Sequence, residues 1–348
     1  MLEYQKSEST LRTFRTEKCS LCGEKGVIVY NGLKDLLFHV NGRWSFMKCS
    51  NSSCGMMWLY PMPEEIDIAK IYKRYYTHSE GKPKTFFASV RNMFENSILR
   101  ERYGYLVFDF GKRIKIFDML VGLLPFLGEN VGGDIAYVEY LENGKMLDVG
   151  CGNGHYLNKM SCLGWEVQGV DPDEQAAGFA QARYGLQVTV GTVYDANFAD
   201  DSFDVITLNH VIEHVHDYIS LLVECKRILK PSGKLILTTP NVDSLGCRYY
   251  NEYWRGLEPP RHLHLFTQKA LIACCKQVGL EILLSRTSPR AARGMWVVSK
   301  NLRSNGVYAS DYITWPRRIE GGIFRVIESL LCKIGMNVGE ENIIIVKK

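Results

Sequence analysis

Glycines at alternate positions follow a short apolar run that is typical of a buried strand. The run Met146–Val149 contains Asp148, and a helical pattern resumes at Tyr156–Leu163. Between them lie Gly150, Gly152 and Gly154. Glycine readily adopts positive φ and lets a ligand approach the main chain without a Cβ in the way, and the following helix would direct free N–H groups into the same crevice. The spacing predicts a nucleotide-type site formed from backbone, with Asp148 at the strand end.

The spacing also discriminates between nucleotides. A dinucleotide fingerprint, G-x-G-x-x-G, needs its third glycine where this chain has His155. A phosphate-binding loop needs Gly-Lys-Ser/Thr, which the sequence lacks. An NAD-binding oxidoreductase therefore stays only as a disfavoured alternative.

The sequence Leu-Asp-Val-Gly-Cys-Gly-Asn-Gly at 147–154 resembles motif I of the class I S-adenosylmethionine (SAM) methyltransferases. Gly169–Asp173 resembles their second motif, whose strand-end acid, here Asp171, holds the ribose hydroxyls. Many members carry an acid after the glycine of the adenine loop, where this chain has Thr192. The Val193 backbone is then expected to meet adenine, with Asp195 as a weaker candidate. The resemblance implies cofactor contacts from Asp148, Gly150, Cys151, Gly152, Gly154, Asp171, Pro172, Thr192, Val193 and Asn209.

Cysteines near the N-terminus have the spacing of metal ligands. They form a C-x2-C pair and a C-x4-C pair: Cys19, Cys22, Cys49 and Cys54. Strand-like pieces between the pairs, Val27–Tyr30, Leu36–Val40 and Trp44–Lys48, complete the pattern of a zinc ribbon with a closed, structural Zn²⁺ site. Four unliganded thiols are the alternative. The other seven cysteines are scattered through core-like segments, which favours reduced thiols and a cytoplasmic protein.

Histidine and glutamate side chains follow the predicted fourth strand. His210, Glu213 and His214 would share one face of a helical turn, and His262 and His264 come later. Methyltransferases of the ubiquinone-pathway and small-RNA 3′-end type carry Glu-x-x-Glu-His at this place for a divalent metal, and the resemblance implies a metal at the 210/213/214 set. A neutral histidine acting as general base on the acceptor is the other functional hypothesis. A purely structural role is the third.

Alternating strand and helix patterns from Leu141 onwards predict an α/β domain. The predicted strands are Lys145–Val149, Glu166–Val170, Gln187–Val190, Phe203–Asn209, Lys234–Thr239, Glu281–Ser285 and Asn342–Val346. The resemblance implies a Rossmann-like seven-stranded sheet in the order 3-2-1-4-5-7-6. We divide the chain into a ribbon (1–63), a helical connector (64–140) and a methyltransferase domain (141–348) with an insertion at 288–340.

The connector is expected to contain a helix over Glu64–Tyr76 and two or three more over Phe86–Leu127, with Gly128–Gly133 ending the block. Its segment Ile116–Leu127 could pack in the core or lie on a membrane surface, and the lack of a strong basic face favours the core. We expect no transmembrane segment, since the most apolar run is too short to span a bilayer. Polar Met1–Lys18 is not typical of a signal peptide.

Composition and motifs together define the expected function. Hydrophobic residues make up 46% of the 348-residue chain and charged residues 23%, as in ordinary globular proteins. A net charge of +4 is too mild to indicate nucleic acid as a partner. The expected activity is SAM-dependent methyl transfer to an O or N, less readily a C, of a small molecule such as a sugar or nucleotide-linked sugar. A non-catalytic SAM-fold adaptor module is the alternative from another class.

Overall fold

The N-terminal part of the chain is a small antiparallel β-structure. The computed structural model describes residues 11–72, 87–106, 125–308 and 314–348. The N-terminal strands are β1 (Thr13–Phe14), β2 (Gly26–Leu33), β3 (Trp44–Cys49), β4 (Met57–Tyr60) and β5 (Met62–Pro63). β2, β3 and β4 pair in sequence, and β1 pairs with β5.

The strand predicted at Leu36–Val40 is wrong. This segment is a turn, because the buried carboxylate of Asp35 accepts hydrogen bonds from the backbone N–H groups of Leu37, Phe38 and Val40 at 3.0–3.1 Å. A carboxylate that binds successive nearby N–H groups competes with strand pairing for those donors.

Helices link the N-terminal strands to the main domain. A 3₁₀ turn at Glu65–Asp67 leads into α1 (Ile68–Ile71), followed by α2 (Phe87–Tyr103) and α3 (Pro125–Asp134). The helix predicted over Glu64–Tyr76 is thus shorter, with 73–76 outside the described residues. Most of the segment Ile116–Leu127 also lies outside them. The expected break at Gly128–Gly133 is wrong, since α3 continues through these glycines. Their missing Cβ atoms admit neighbouring side chains such as Arg102 and Arg290.

A mostly parallel sheet forms the main domain. The remaining strands are β6 (Lys145–Val149), β7 (Glu166–Asp171), β8 (Gln187–Val190), β9 (Phe203–Asn209), β10 (Leu229–Pro240), β11 (His264–Leu265), β12 (Glu281–Ser288) and β13 (Glu341–Lys347). All except β11 form one sheet, in the order β12-β13-β10-β9-β6-β7-β8 with β13 antiparallel. When these seven strands are numbered 1 to 7 along the chain and the order is given from the β8 edge, it is 3-2-1-4-5-7-6. This confirms the predicted topology.

Helices follow the strands as expected for this fold. They are α4 (His155–Cys162), α5 (Glu174–Tyr184), α6 (Tyr218–Ile228), α7 (Leu245–Tyr250), α8 (Gln268–Gln277), α9 (Ala292–Asn305) and α10 (Trp315–Lys333), with 3₁₀ turns at Ile212–His214, Asn251–Tyr253 and Arg255–Leu257. α9 and α10 lie between β12 and β13, where the insertion is predicted. None of the helices in the described ranges has the length and apolar character needed to cross a membrane.

The N-terminal sheet is continuous with the main domain. β11 adds to its edge by pairing with β4, giving the order β11-β4-β3-β2. Trp58 and Phe46 of this sheet belong to the same buried cluster as Leu208 and Leu237 of the main sheet. The N-terminal segment is therefore packed directly against the end of the main sheet where β9 and β10 terminate.

Candidate active site

The turn after β6 has the backbone geometry that the glycine spacing predicts. Gly150, Gly152 and Gly154 have φ values of 72°, 53° and 72°. A Cβ on Gly150 would lie 2.5 Å from Val211 Cγ2, and one on Gly154 would lie 2.6 Å from Ala180 Cβ. A Cβ on Gly152 would have no heavy atom within 4 Å. The outer two glycines thus permit close packing, whereas Gly152 borders open space that a ligand can enter.

Asp171 connects the two sequence motifs. Its Oδ2 accepts a hydrogen bond from Gly152 N at 2.7 Å, and its Oδ1 accepts one from Asp173 N at 2.9 Å. Burial raises the pKa of the Asp171 carboxyl, although these two backbone donors oppose the rise. Each carboxylate oxygen can accept a further hydrogen bond, so Asp171 can still bind a diol.

Asp148 lies at the end of β6 and is buried. Thr207 Oγ1 donates a hydrogen bond of 2.6 Å to its Oδ1. Burial raises the pKa of Asp148 to about 7, and the nearby charge of Asp171 adds to the rise. A carboxyl poised near neutrality in a polar crevice is typical of a ligand site.

The remaining predicted cofactor residues lie at the same edge of the sheet and differ in how exposed they are. Cys151 is buried, with its thiol against Gly169, so only its backbone is available. Pro172 is exposed after β7, and Asn209 is the half-buried last residue of β9.

The predicted adenine loop follows β8. Thr192 N and Oγ1 both donate to Asp195 Oδ2 at 2.7 Å, and Val193 is buried. Asp195 therefore stabilises the turn itself.

A second group of side chains lies beyond β9. Ligand-type atoms of Glu213, His214 and His262 all lie within 4.8 Å of one another. Glu213 is fully buried and accepts a hydrogen bond from Thr239 Oγ1 at 3.0 Å. Burial would raise the pKa of Glu213, but the hydrogen bond from His210 and the charges of nearby histidines lower it to about 2. A buried carboxylate beside two imidazoles is a set that can hold a divalent cation.

The two histidines of this group are both oriented by backbone carbonyls. His214 Nδ1 lies 3.0 Å from Arg261 O and 2.8 Å from the Tyr72 hydroxyl, and His262 Nδ1 lies 2.7 Å from Gly256 O. Because a carbonyl only accepts, each Nδ1 carries the proton and each Nε2 is left with its lone pair. Burial lowers the pKa of His262 to about 4, so its imidazole is neutral at physiological pH. Either Nε2 can accept a proton or ligate a metal.

His210 does not complete the set in the way the sequence predicts. Ile212–His214 is only a 3₁₀ turn, and His210 precedes it with φ of 55°, its N–H bound to Thr238 O at 2.8 Å. The shared helical face is therefore absent. His210 contacts Glu213 Oε1 at 3.3 Å and Glu341 Oε1 at 3.0 Å, and although burial opposes it, these two carboxylates raise its pKa to about 10. The group of ligand atoms within 4.8 Å of one another contains His262 in the place predicted for His210.

His264 lies apart from this group. It is buried in β11, with its ring centroid 4.8 Å from that of Tyr218 and Nδ1 3.1 Å from Val215 O.

Two site residues were not predicted, Glu341 and Tyr72. Glu341 immediately precedes the predicted last strand, Asn342–Val346, and this position at a strand end could have identified it.

The four N-terminal cysteines form one cluster. The Sγ atoms of Cys19 and Cys54 are 3.6 Å apart, and those of Cys22 and Cys49 are 3.4 Å apart. A disulfide would need about 2.05 Å, whereas tetrahedral Zn–S bonds of about 2.3 Å place sulfur atoms about 3.8 Å apart. The spacing fits a four-thiolate metal site.

The comparisons agree with this geometry. Residues 134–285 match the family model of a methyltransferase domain. A Mycobacterium tuberculosis protein named a probable S-adenosylmethionine-dependent methyltransferase is 35% identical over 97 residues, which are 28% of this chain and 35% of that protein. The ubiquinone biosynthesis O-methyltransferase of Xanthomonas oryzae pv. oryzae is 35% identical over 108 residues, 29% of this chain and 45% of that enzyme. The chain thus spans less than half the length of these curated relatives.

Among solved structures, a SAM-dependent methyltransferase from Thermotoga maritima is similar with a TM-score of 0.42 and 20% identity, covering 66% of this chain and 92% of that one. One from Mesorhizobium loti has a TM-score of 0.44 and 15% identity, covering 63% and 98%.

Proposed function

We propose that residues 134–285, which match the model of a methyltransferase domain, form a class I SAM-dependent methyltransferase domain, and that the chain transfers a methyl group to an oxygen or nitrogen of a small molecule. The observation that carries the proposal is the contact between Asp171 and Gly152, which places a carboxylate able to bind a diol beside the one glycine of this turn that borders open space.

The cofactor would be held by the residues around the glycine turn. Asp171 would accept the ribose hydroxyls and the Gly150–Gly154 backbone would lie along the ligand, with Asp148 near its cationic groups. The Thr192–Val193 turn would border the adenine. When bound, SAM supplies an electrophilic methyl group, so the protein's task is to align a nucleophile with it.

The histidines beyond β9 would serve the acceptor. A hydroxyl or amine becomes a better nucleophile as it loses its proton, and the Nε2 of His214 or His262 can accept that proton while the new bond to carbon forms. His210, whose two ring nitrogens contact the carboxylates of Glu213 and Glu341, would instead hold Glu213 in place beside the other two histidines. The polar character of this edge supports a polar acceptor, and a sugar or nucleotide-linked sugar is our proposal. The relative named for ubiquinone biosynthesis supports oxygen as the methylated atom.

Two metal sites belong to the proposal. The Cys19, Cys22, Cys49 and Cys54 cluster would hold a structural Zn²⁺ that leaves no open position for catalysis. In the alternative to base catalysis, Glu213, His214 and His262 would hold a divalent cation next to the acceptor, and their mixed nitrogen and oxygen donors suit a transition metal better than Mg²⁺.

Calorimetric titration with SAM, S-adenosylhomocysteine and NAD tests which cofactor the protein binds. We expect micromolar binding of both sulfur ligands and none of NAD, together with methyl transfer from labelled SAM to one member of an acceptor panel. Binding of NAD alone would overturn the proposal in favour of an oxidoreductase. Binding of SAM with no acceptor methylated would favour the adaptor module.

A further inference from the structure

Helix α10 presents an apolar stripe to solvent. Its exposed large apolar side chains recur every three to four residues along the helix and continue just past its end. They are Trp315, Ile319, Ile323, Val326, Ile327, Leu330, Ile334 and Met336. Trp315 is 74% exposed, Leu330 57% and Ile334 75%. The helix of 19 residues is about 28 Å long, so the stripe is continuous and too large to be a scatter of single exposed residues.

The opposite face of α10 packs against neighbouring parts of the protein. Gly321, Phe324 and Glu328 are buried, and Phe324 stacks on Trp296 of α9 with ring centroids 4.3 Å apart. A Cβ on Gly321 would lie 2.9 Å from Arg293 O, which shows how closely the two helices approach. The apolar stripe is therefore not a face with which α10 packs against the described residues.

The charges beside the stripe are of one sign. Arg318 lies near the start of α10 and Lys333 at its end, and both are exposed. The two acidic residues of the helix do not balance them, because Glu320 is paired with Lys300 and Glu328 is buried. A second copy would bring like charges together whether the two helices ran parallel or antiparallel. An anionic surface would complement them.

We propose that α10 docks the protein on the surface of an anionic phospholipid bilayer, with the stripe from Trp315 to Leu330 facing the acyl chains and Arg318 and Lys333 facing the headgroups. Tryptophan near the end of an amphipathic helix, aliphatic residues along one face and cationic residues at its margins form the pattern of an interfacial helix. Basic residues near such a surface are attracted to anionic lipids.

Tryptophan fluorescence gives a direct readout. Of the six tryptophans in the chain, Trp315 is the exposed one, since Trp44, Trp58, Trp165 and Trp254 are buried and Trp296 is half-buried. Adding vesicles of phosphatidylcholine and phosphatidylglycerol to the full chain should shift the emission to shorter wavelength, and W315F should abolish the shift. Vesicles of phosphatidylcholine alone should give a much weaker response.

Sedimentation with the same vesicles tests which residues of α10 the binding requires. I323Q/L330Q should abolish binding, and R318Q should weaken it about fivefold. V223Q, at an exposed position of α6, is the matched control and should bind as the wild type does. Unchanged circular dichroism and unchanged S-adenosylhomocysteine binding show that the variants fold. If the wild type is a dimer that does not bind vesicles, and if I323Q/L330Q dissociates that dimer, the stripe is an interface between copies and the proposal is wrong. A monomeric wild type that does not bind anionic vesicles would also overturn the proposal.

Discussion

Asp35 and Arg261, 226 residues apart, form a bidentate ion pair in the protein interior. Asp35 Oδ1 and Oδ2 accept from the two terminal guanidinium nitrogens at 2.8 and 2.9 Å, and neither side chain is more than 1% exposed. Arg261 Nε also donates to Glu258 Oε1 at 2.8 Å, and the Arg261 carbonyl accepts from His214 Nδ1. A turn in the N-terminal segment therefore anchors the residue that orients His214.

D35N should destabilise the protein and impair catalysis together. Replacing Asp35 removes one of the two carboxylates that pair with the buried Arg261 and leaves it with Glu258, which also pairs with Arg255. We expect a cost of about 3 kcal/mol in the free energy of unfolding, the low end of the range for breaking a buried ion pair. Urea denaturation measures this loss, and kcat measures the displacement of His214. The control is E281Q, which breaks the exposed pair between Glu281 and Lys347 and should cost less than about 1 kcal/mol. Equal stability of D35N and the wild type would contradict the interpretation of this pair as structural.

The sequence predicted the main sheet well because its strands are marked locally. Gln187–Val190 and Phe203–Asn209 form strands with the predicted bounds, since apolar runs bounded by turn residues are a local signal. The glycine turn and Asp171 were also predictable, because their roles depend on backbone conformation and on position at a strand end.

The rest of the candidate site depends on contacts between distant residues. His210 meets Glu341, 131 residues later. His262, and not His210, joins Glu213 and His214 in the group of possible metal ligands, because a 3₁₀ turn takes the place of the expected helix. The two-residue strand β11 joins the N-terminal sheet without any pattern long enough to show a period. Such relationships arise from tertiary packing, which local periodicity does not encode.

C22S should remove the proposed zinc. Cys22 is the exposed member of the four-thiol cluster, and three thiolates no longer form a closed tetrahedral site. Metal analysis of purified protein should give about one zinc per chain for the wild type and near zero for the variant, with a lower melting temperature. C162S replaces another exposed thiol and should keep both values. Chelation that leaves the melting temperature unchanged would argue against a structural metal.

H214N should lower kcat without changing SAM affinity. If its Nε2 removes the acceptor proton, the loss should be about 10²–10⁴-fold. The control is H216N, because His216 lies two residues away and bonds Pro63 O at 2.7 Å, outside the group around Glu213. A wild-type rate that rises with added divalent metal, and an H214N rate that does not, would identify His214 as a metal ligand. Equal kcat in H214N and wild type would exclude both roles.

D148N should make the unliganded protein more stable at alkaline pH and weaken SAM binding. The native pKa of Asp148 is about 7, above its ordinary value near 3.9. Between these values the native state binds more protons than the unfolded state, so this carboxyl makes stability fall as pH rises from about 4 to about 7. Asparagine imitates the protonated form and can accept the same Thr207 hydrogen bond. At pH 8, D148N should therefore exceed the wild type by up to about 4 kcal/mol, and at pH 4 the two should be equal. Loss of a charge-assisted contact should weaken SAM binding about tenfold or more.

Urea denaturation across pH, paired with calorimetry, measures both effects. D204N is the control, since Asp204 lies near the amino end of β9 and pairs with Lys230. It should leave SAM affinity unchanged and gain no stability at pH 8. A D148N variant that is less stable than the wild type at pH 8 would show that the ionised carboxylate is stabilised in the fold, contrary to the raised pKa. A variant that binds SAM as tightly as the wild type would remove Asp148 from the cofactor site.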